Sequence, residues 1–353
     1  MAEYRAAIVG LTGIATNPAP VAPHPVLGTE MPASHAAAYA ALPQTTVVAV
    51  CDLVPELIER FRQTWGERFP HITGYTDYRQ MLEREQVDIL SVVTSDHRHA
   101  DIVVDACAAG VKAICCEKPM ATTLADADRM IEAAERHGVK MSVDHTRRWR
   151  PEWQKARQLL RDGAIGTLTR AVASLGGPRA MLFRNGTHLI DALNFFVDAR
   201  PAWLTGALAT EFRGYGPRYA GDGGRDPATD PSGSAYLEYE NGVGAFIAVV
   251  RHTVSPFELD LHGSEGRMVV RDGSLELWTG GDRRRLLYQA VPVPQVTRGA
   301  LVAAIAELIA LIERGGESVS PPRAARQALE IILAILQSQA QGNARITFPI
   351  ADV

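Results

Sequence analysis

Short, unbroken apolar runs alternate with longer stretches of helical periodicity over residues 1–145. The runs Ala6–Val9, Val47–Cys51, Ile89–Thr94, Ala113–Cys116 and Lys140–Val143 are too continuous for strands that face water on one side. They predict a parallel sheet buried on both faces. Between them, His35–Leu42, Pro55–Trp65, Tyr78–Glu85, Ala100–Ala109 and Leu124–His137 predict crossover helices. This alternation predicts a doubly wound α/β fold, with ligands beyond the carboxyl ends of the strands.

After Pro151 the texture changes. One amphipathic helix, Glu152–Arg161, leads into strands at Thr167–Ser174, Ala235–Tyr239, Gly244–Val250, Phe257–His262 and Arg267–Val270. Several of these alternate polar and apolar residues, which predicts an antiparallel sheet. Asn241-Gly242 marks a hairpin, because both residues tolerate positive φ. Helices around Ala300–Glu313 and Arg323–Ala340 are expected to cover one face of that sheet. The expected fold class is therefore α/β, with a doubly wound parallel-sheet domain at 1–145 and an α+β domain carrying a mainly antiparallel sheet at 146–353.

A chain of 353 residues suits two domains. Composition changes the picture mainly by exclusion. With 46% hydrophobic and 22% charged residues and a net charge of −4, the chain is a folded type. It offers no basic field for nucleic acid or an anionic membrane. The first residues lack signal-peptide features, and the apolar stretch Leu301–Ile312 falls short of the ~20 residues of a membrane span. A cytoplasmic protein is expected. Four cysteines, at 51, 107, 115 and 116, lack metal-site spacing and are expected as buried, reduced thiols, with no metal site.

Two segments read as loops. Residues 15–32 carry five prolines, and residues 212–232 are rich in Gly, Pro, Asp and Arg. Either suits a lid, and the second equally suits a solvated insertion.

The candidate chemistry begins where the first strand runs into Gly10-Leu-Thr-Gly13-Ile-Ala15. This approximates the glycine turn that places a pyrophosphate at a helix N-terminus, with Thr12 where the second glycine would stand. A purely structural turn is the competing reading. Asp52 ends the second strand, where a carboxylate accepts hydrogen bonds from ribose hydroxyls and repels a 2′-phosphate, favouring NAD over NADP. A helix cap ahead of Pro55 is the alternative. Lys118 follows the run ending at Cys116, at the carboxyl edge of the sheet, where an ammonium group stabilises developing alkoxide charge.

Several segments occur in one order: Thr94–His99, Glu117-Lys118-Pro119, Arg147-Arg148-Trp149-Arg150-Pro151, Gly163-Ala-Ile-Gly166, Gly186-Thr-His188-Leu-Ile-Asp191, Gly263-Ser-Glu-Gly266 and Ile346-Thr-Phe-Pro349. Together they resemble the glucose-fructose oxidoreductase, inositol dehydrogenase and rhizopine-catabolism family, Gfo/Idh/MocA. The resemblance covers nearly the whole chain. It implies a Rossmann domain followed by an open-sheet domain whose outer face forms homodimer or homotetramer contacts.

The resemblance also assigns roles. Lys118 is the implied catalytic lysine and His188 the group that exchanges a proton with the substrate hydroxyl, with Asp191 one turn on to orient ring or substrate. Gly10, Thr12, Gly13, Asp52, Thr94, His99, Glu117 and Lys118 are implied to line the cofactor site. His97 and His99 equally suit ordinary residues at a helix start. A core or capping role is the competing reading of His188.

One position departs from the family pattern. An aspartate usually stands four residues before the histidine, and this chain has Arg184. With Arg148, Arg184 would bind a substrate carboxylate or phosphate in bidentate fashion. Solvent exposure, or pairing with an acidic neighbour, is the alternative.

The expected activity is hydride transfer between a secondary alcohol of a sugar, sugar acid or cyclic polyol and NAD. Two competitors stand beside it. One is a cofactor-retaining lyase, hydrolase or exchange enzyme that uses transient oxidation. The other is an NAD-binding sensor or regulatory protein without chemistry. The leading reading requires that Lys118 and His188 act on one bound substrate.

Overall fold

The computed structural model describes residues 3–18, 33–223, 226–280, 287–294 and 298–351. These form two compact units: residues 3–149 with 298–323, and residues 150–294 with 324–351.

In the first unit, β1 (Tyr4–Val9), β2 (Thr45–Cys51), β3 (Thr73–Tyr75), β4 (Ile89–Val92), β5 (Ala113–Cys116) and β6 (Lys140–Val143) form a six-stranded sheet in the order β3-β2-β1-β4-β5-β6. All neighbours are parallel. Every residue of β4 and β5 is buried, as their unbroken apolar runs require. The order reverses between β1 and β4, and that switch point opens a crevice at the carboxyl ends. The three-residue β3 was not foreseen, because Thr73–Tyr75 is too short and too exposed to carry a pattern.

The helices are α1 (His35–Ala41), α2 (Pro55–Trp65), α3 (Tyr78–Arg84), α4 (His99–Ala108) and α5 (Leu124–His137). Ser34, Asp77 and Thr123 cap α1, α3 and α5 by accepting backbone N–H groups of their first turns. The four cysteines are free and buried, and burial pushes the Cys51 thiol up to about 12 and the Cys107 thiol to about 11.

One helix differs from expectation. Ala300–Arg314, expected on the second sheet, packs instead against α1, β5 and β6. Its Leu301, Ile305 and Leu308 share a core with Ile8, Tyr39 and Ile89. Trp149 Nε1 donates to Glu307 Oε2 on it at 3.1 Å. Periodicity shows that a helix buries one face, but not which sheet receives it.

In the second unit, β7 (Leu168–Gly176), β8 (Pro201–Leu208), β9 (Gly233–Tyr239), β10 (Gly244–Val250), β11 (Glu258–Gly263), β12 (Gly266–Arg271), β13 (Ser274–Thr279), β14 (Leu287–Ala290) and β15 (Ile346–Thr347) form a nine-stranded sheet. Its order is β14-β13-β12-β11-β7-β10-β9-β8-β15, antiparallel throughout except for the pair β7 and β10. The Asn241-Gly242 turn closes the β9–β10 hairpin, with Gly242 at φ +82°. The helix Pro322–Ala340 covers β8. Gly206 makes this approach close, since a Cβ there would stand 3.1 Å from Ile335 Cγ2. Among the described residues, no helix is long and apolar enough to cross a membrane.

Candidate active site

In the first unit the chain leaves β1 at Gly10, with φ +90°. A Cβ there would lie 2.4 Å from the Val93 carbonyl oxygen, so any other residue would push the ends of β1 and β4 apart. Thr12 and Gly13 are exposed, and Gly13 has φ +52° with open space where a side chain would project. A short 3-10 turn, Gly13–Ala15, follows. Most of the proline-rich segment considered as a lid, residues 19–32, lies outside the described residues.

Asp52 stands just beyond β2. Its Oδ2 accepts the Leu11 N–H at 2.8 Å and its Oδ1 the Val54 N–H at 3.0 Å. The carboxylate thus pins the glycine turn to the second strand. The alternative role as cap of α2 is not realised, because Val54 occupies the cap position and no side chain caps that helix. A carboxylate has about four lone-pair sites, so Asp52 keeps acceptor capacity for ribose hydroxyls. The open turn at the switch point and this acceptor fit a dinucleotide's pyrophosphate and ribose.

At the end of β5, Glu117 is buried and Lys118 half-buried. The strand therefore delivers an ammonium group to the carboxyl edge. Thr94 is half-buried just past β4. His99 lies between the two loops. Expected to line the cofactor pocket, it is fully buried, with Nδ1 3.1 Å from the Pro119 carbonyl and Nε2 3.0 Å from that of Thr94. Its ring ties the loop after β4 to the loop after β5. Burial lowers its pKa, against the pull of the two carbonyls and of Glu117.

Around Glu117 lies a polar cluster that sequence reasoning missed. His35, Glu117 and Asp144 place ligand-type atoms within 4.8 Å of one another, all buried. Burial would raise Glu117, but the hydrogen bond with His35, the Lys118 charge and the Lys118 N–H outweigh it and hold the carboxyl at about 2. Burial first, and then Glu117, push Asp144 well above the carboxylate range, so Asp144 is the protonated partner. The signal available in the sequence was the polar start of α1, Ser34-His35, before an alanine run.

Arg148, expected to meet the substrate, is buried in the first unit, and its Nη1 donates to the Val319 carbonyl at 2.8 Å. It ties the turn before Trp149 to the segment after the helix Ala300–Arg314.

The second unit carries α6 (Pro151–Arg161) and α7 (Thr187–Val197), and α7 holds His188 in its first turn and Asp191 one turn on. His188 is half-buried and Asp191 fully buried. A π-helical turn, Leu182–Gly186, leads into α7, closed by the Gly186 N–H on the Met181 carbonyl at 2.7 Å. Such widened turns recur at functional sites because they re-aim side chains. Gly186 is required here, since a Cβ would lie 2.9 Å from that same carbonyl oxygen.

Arg184 sits in this turn and faces an acidic neighbour, its Nε 3.9 Å from Asp230 Oδ2. Asp230 is fully buried, accepts the Phe183 N–H at 3.2 Å, and has its own carbonyl bound by the Arg251 guanidinium. Burial raises Asp230 to about 6 against the pull of these donors. The segment ending at Asp230 is anchored rather than merely solvated. The Leu182 N–H donates to the Pro231 carbonyl at 2.8 Å, and the Tyr219 ring lies 4.3 Å from that of Phe183.

Comparison with known proteins decides the family. Residues 25–145 match the model described as the oxidoreductase family, NAD-binding Rossmann fold, of GFO_IDH_MocA, and residues 153–269 match the GFO/IDH/MocA C-terminal domain. The chain is also 30% identical over 236 residues to dTDP-3,4-didehydro-2,6-dideoxy-alpha-D-glucose 3-reductase of Saccharopolyspora spinosa, covering 64% of this chain and 67% of that protein.

The chain belongs to the Gfo/Idh/MocA family.

Another Gfo/Idh/MocA relative, D-apiose dehydrogenase of Paraburkholderia graminis, is 28% identical over 330 residues, which is 88% of this chain and 85% of that one. Among solved structures, levoglucosan dehydrogenase in complex with NADH and levoglucosan superposes with a TM-score of 0.78, at 19% identity over 99% of this chain and 100% of that one. That likeness shows a shared fold.

Proposed function

We propose that this Gfo/Idh/MocA protein is an NAD-dependent dehydrogenase that oxidises a secondary alcohol of a sugar, sugar acid or cyclic polyol. The observation that carries this reading is Lys118, half-buried at the carboxyl end of β5 in an NAD-binding Rossmann sheet. Relatives named for apiose, inositol and levoglucosan dehydrogenation support the substrate class.

The Thr12–Gly13 turn and Asp52 hold the dinucleotide, and Asp52 selects NAD by repelling a 2′-phosphate. Bound NAD supplies the hydride acceptor. His188, as neutral imidazole, takes the substrate hydroxyl proton, and the Lys118 ammonium stabilises the developing alkoxide. Arg184 and Asp230 form an ion pair of zero net charge, which favours neutral sugars and polyols over acid forms.

The protein acts in the cytoplasm as a homo-oligomer. The outer side of the nine-stranded sheet supports the second point: on β10, Phe246 is 43% exposed beside the ring of Tyr236, while Ala245, Ile247 and Val249 face inward.

Purified protein supplied with NAD and a panel of polyols, sugars and sugar acids tests the reading. The expected result is cofactor reduction in proportion to ketone product, fastest with a neutral substrate. Product without net cofactor reduction would replace it with the cofactor-retaining chemistry. NAD binding without turnover on the whole panel would favour a sensor.

A further inference from the structure

The carboxylate beside Lys118 is the end point of a buried chain of hydrogen bonds. Tyr39 Oη lies 2.9 Å from Ser91 Oγ, Ser91 Oγ 2.8 Å from His35 Nδ1, and His35 Nε2 3.4 Å from Glu117 Oε1. Tyr39, Ser91 and His35 are fully buried, so each proton must be placed within the chain. From the other side, the Lys118 N–H donates to Glu117 Oε2 at 3.1 Å, and an Asp144 carboxyl oxygen lies within 4.8 Å of the Glu117 carboxyl.

One direction of donation satisfies this chain. Tyr39 O–H donates to Ser91, Ser91 O–H to His35 Nδ1, His35 Nε2–H to Glu117, and Asp144 O–H to Glu117. Running it backwards would aim the lone pair of His35 Nε2 at a carboxylate, which is repulsive.

We propose that Glu117 is a positioning residue for Lys118, held as a buried carboxylate by the His35 ring and the Lys118 N–H, so that the lysine stays an ammonium during turnover. This rests on the reading of Lys118 as the catalytic lysine. Other titratable groups facing the cluster are Cys115 and Cys116 on β5 and His99 on α4, with thiols raised and imidazole lowered by burial. The Lys118 charge acts on the Glu117 carboxylate. A neighbouring negative charge favours the ammonium form, so removing it makes the lysine lose its proton at lower pH.

The test is the pH profile of kcat/KM, measured together with NAD affinity. Glu117→Gln should move the alkaline limb down by about one pH unit, about a tenfold loss above the shifted limb, at saturating NAD. Asp144→Asn, which keeps a neutral donor of the same shape, should retain the wild-type profile, whereas Asp144→Ala should lose about tenfold at neutral pH. A Glu117→Gln profile superimposable on wild type overturns the proposal. Equal impairment of Asp144→Asn and Asp144→Ala, with wild-type activity abolished by EDTA, overturns it in favour of a metal site. Lys118→Ala separates the two levels: if it keeps full turnover, the underlying reading of Lys118 has failed. If it is inactive while Glu117→Gln leaves the profile unmoved, only the present proposal has.

Discussion

The two units deliver their candidate residues by different devices. In the first, Asp52, Thr94 and Lys118 stand at the carboxyl ends of parallel strands, where the sheet itself fixes backbone position. In the second, Arg184 and His188 stand on and after a π-helical turn braced by a long loop through Asp230 and Pro231. Strand ends are rigid and generic across α/β folds. A widened turn propped by a loop varies without disturbing the sheet. On the proposed function, the contrast assigns cofactor binding to a constant scaffold and substrate preference to the adjustable half.

The sharpest way to break this contrast is His188→Asn. As a proton-exchanging group, His188 should be worth about 10²–10⁴-fold in kcat, with NAD affinity unchanged, since NAD sits on the other scaffold. Loss of NAD affinity in this variant, measured by calorimetry, would erase the division of labour.

A smaller effect is expected at Asp52→Ala. The variant deprives the Leu11 and Val54 N–H groups of their acceptor and removes the charge that repels a 2′-phosphate. NAD affinity should fall by about tenfold and the preference over NADP should narrow, with substrate preference untouched. Competitive binding of the two dinucleotides measures it.

The smallest effect concerns stability. Asp230 has its pKa raised to about 6 in the folded chain, against about 3.9 unfolded, so the folded state binds the proton more tightly. Stability contributed by that proton is present below pH ~4 and is lost as pH rises to ~6. Asp230→Asn should flatten this slope in a plot of Tm against pH. An unchanged slope would show that Asp230 is not the group responsible.

Strand ends were also the legible part of the sequence. Lys118 could be placed because an unbroken apolar run, Ala113–Cys116, ends two residues before it, and such runs have few ways to fold. The parallel arrangement of the first sheet, apart from the short β3, and the mainly antiparallel second sheet followed from the same patterns. What stayed hidden were partners distant in sequence. Asp230 lies far along the chain from Arg184, and nothing in either segment's pattern names the other. His35, Glu117 and Asp144 come from three elements that meet only because β5 and β6 lie side by side and the start of α1 brings His35 to the end of β5. The carbonyl contacts of His99 stayed hidden too, because a histidine near a ligand edge and a histidine between two carbonyls have the same sequence signature. The helix Ala300–Arg314 presented an apolar stripe that either sheet could accept.

The central claim is that Lys118 at the end of β5 stabilises the alkoxide during hydride transfer, and single-turnover reduction of saturating NAD by Lys118→Ala tests it most directly. The account predicts a rate lower than wild type by about 10²–10³-fold with NAD affinity intact. A wild-type single-turnover rate in that variant would contradict it.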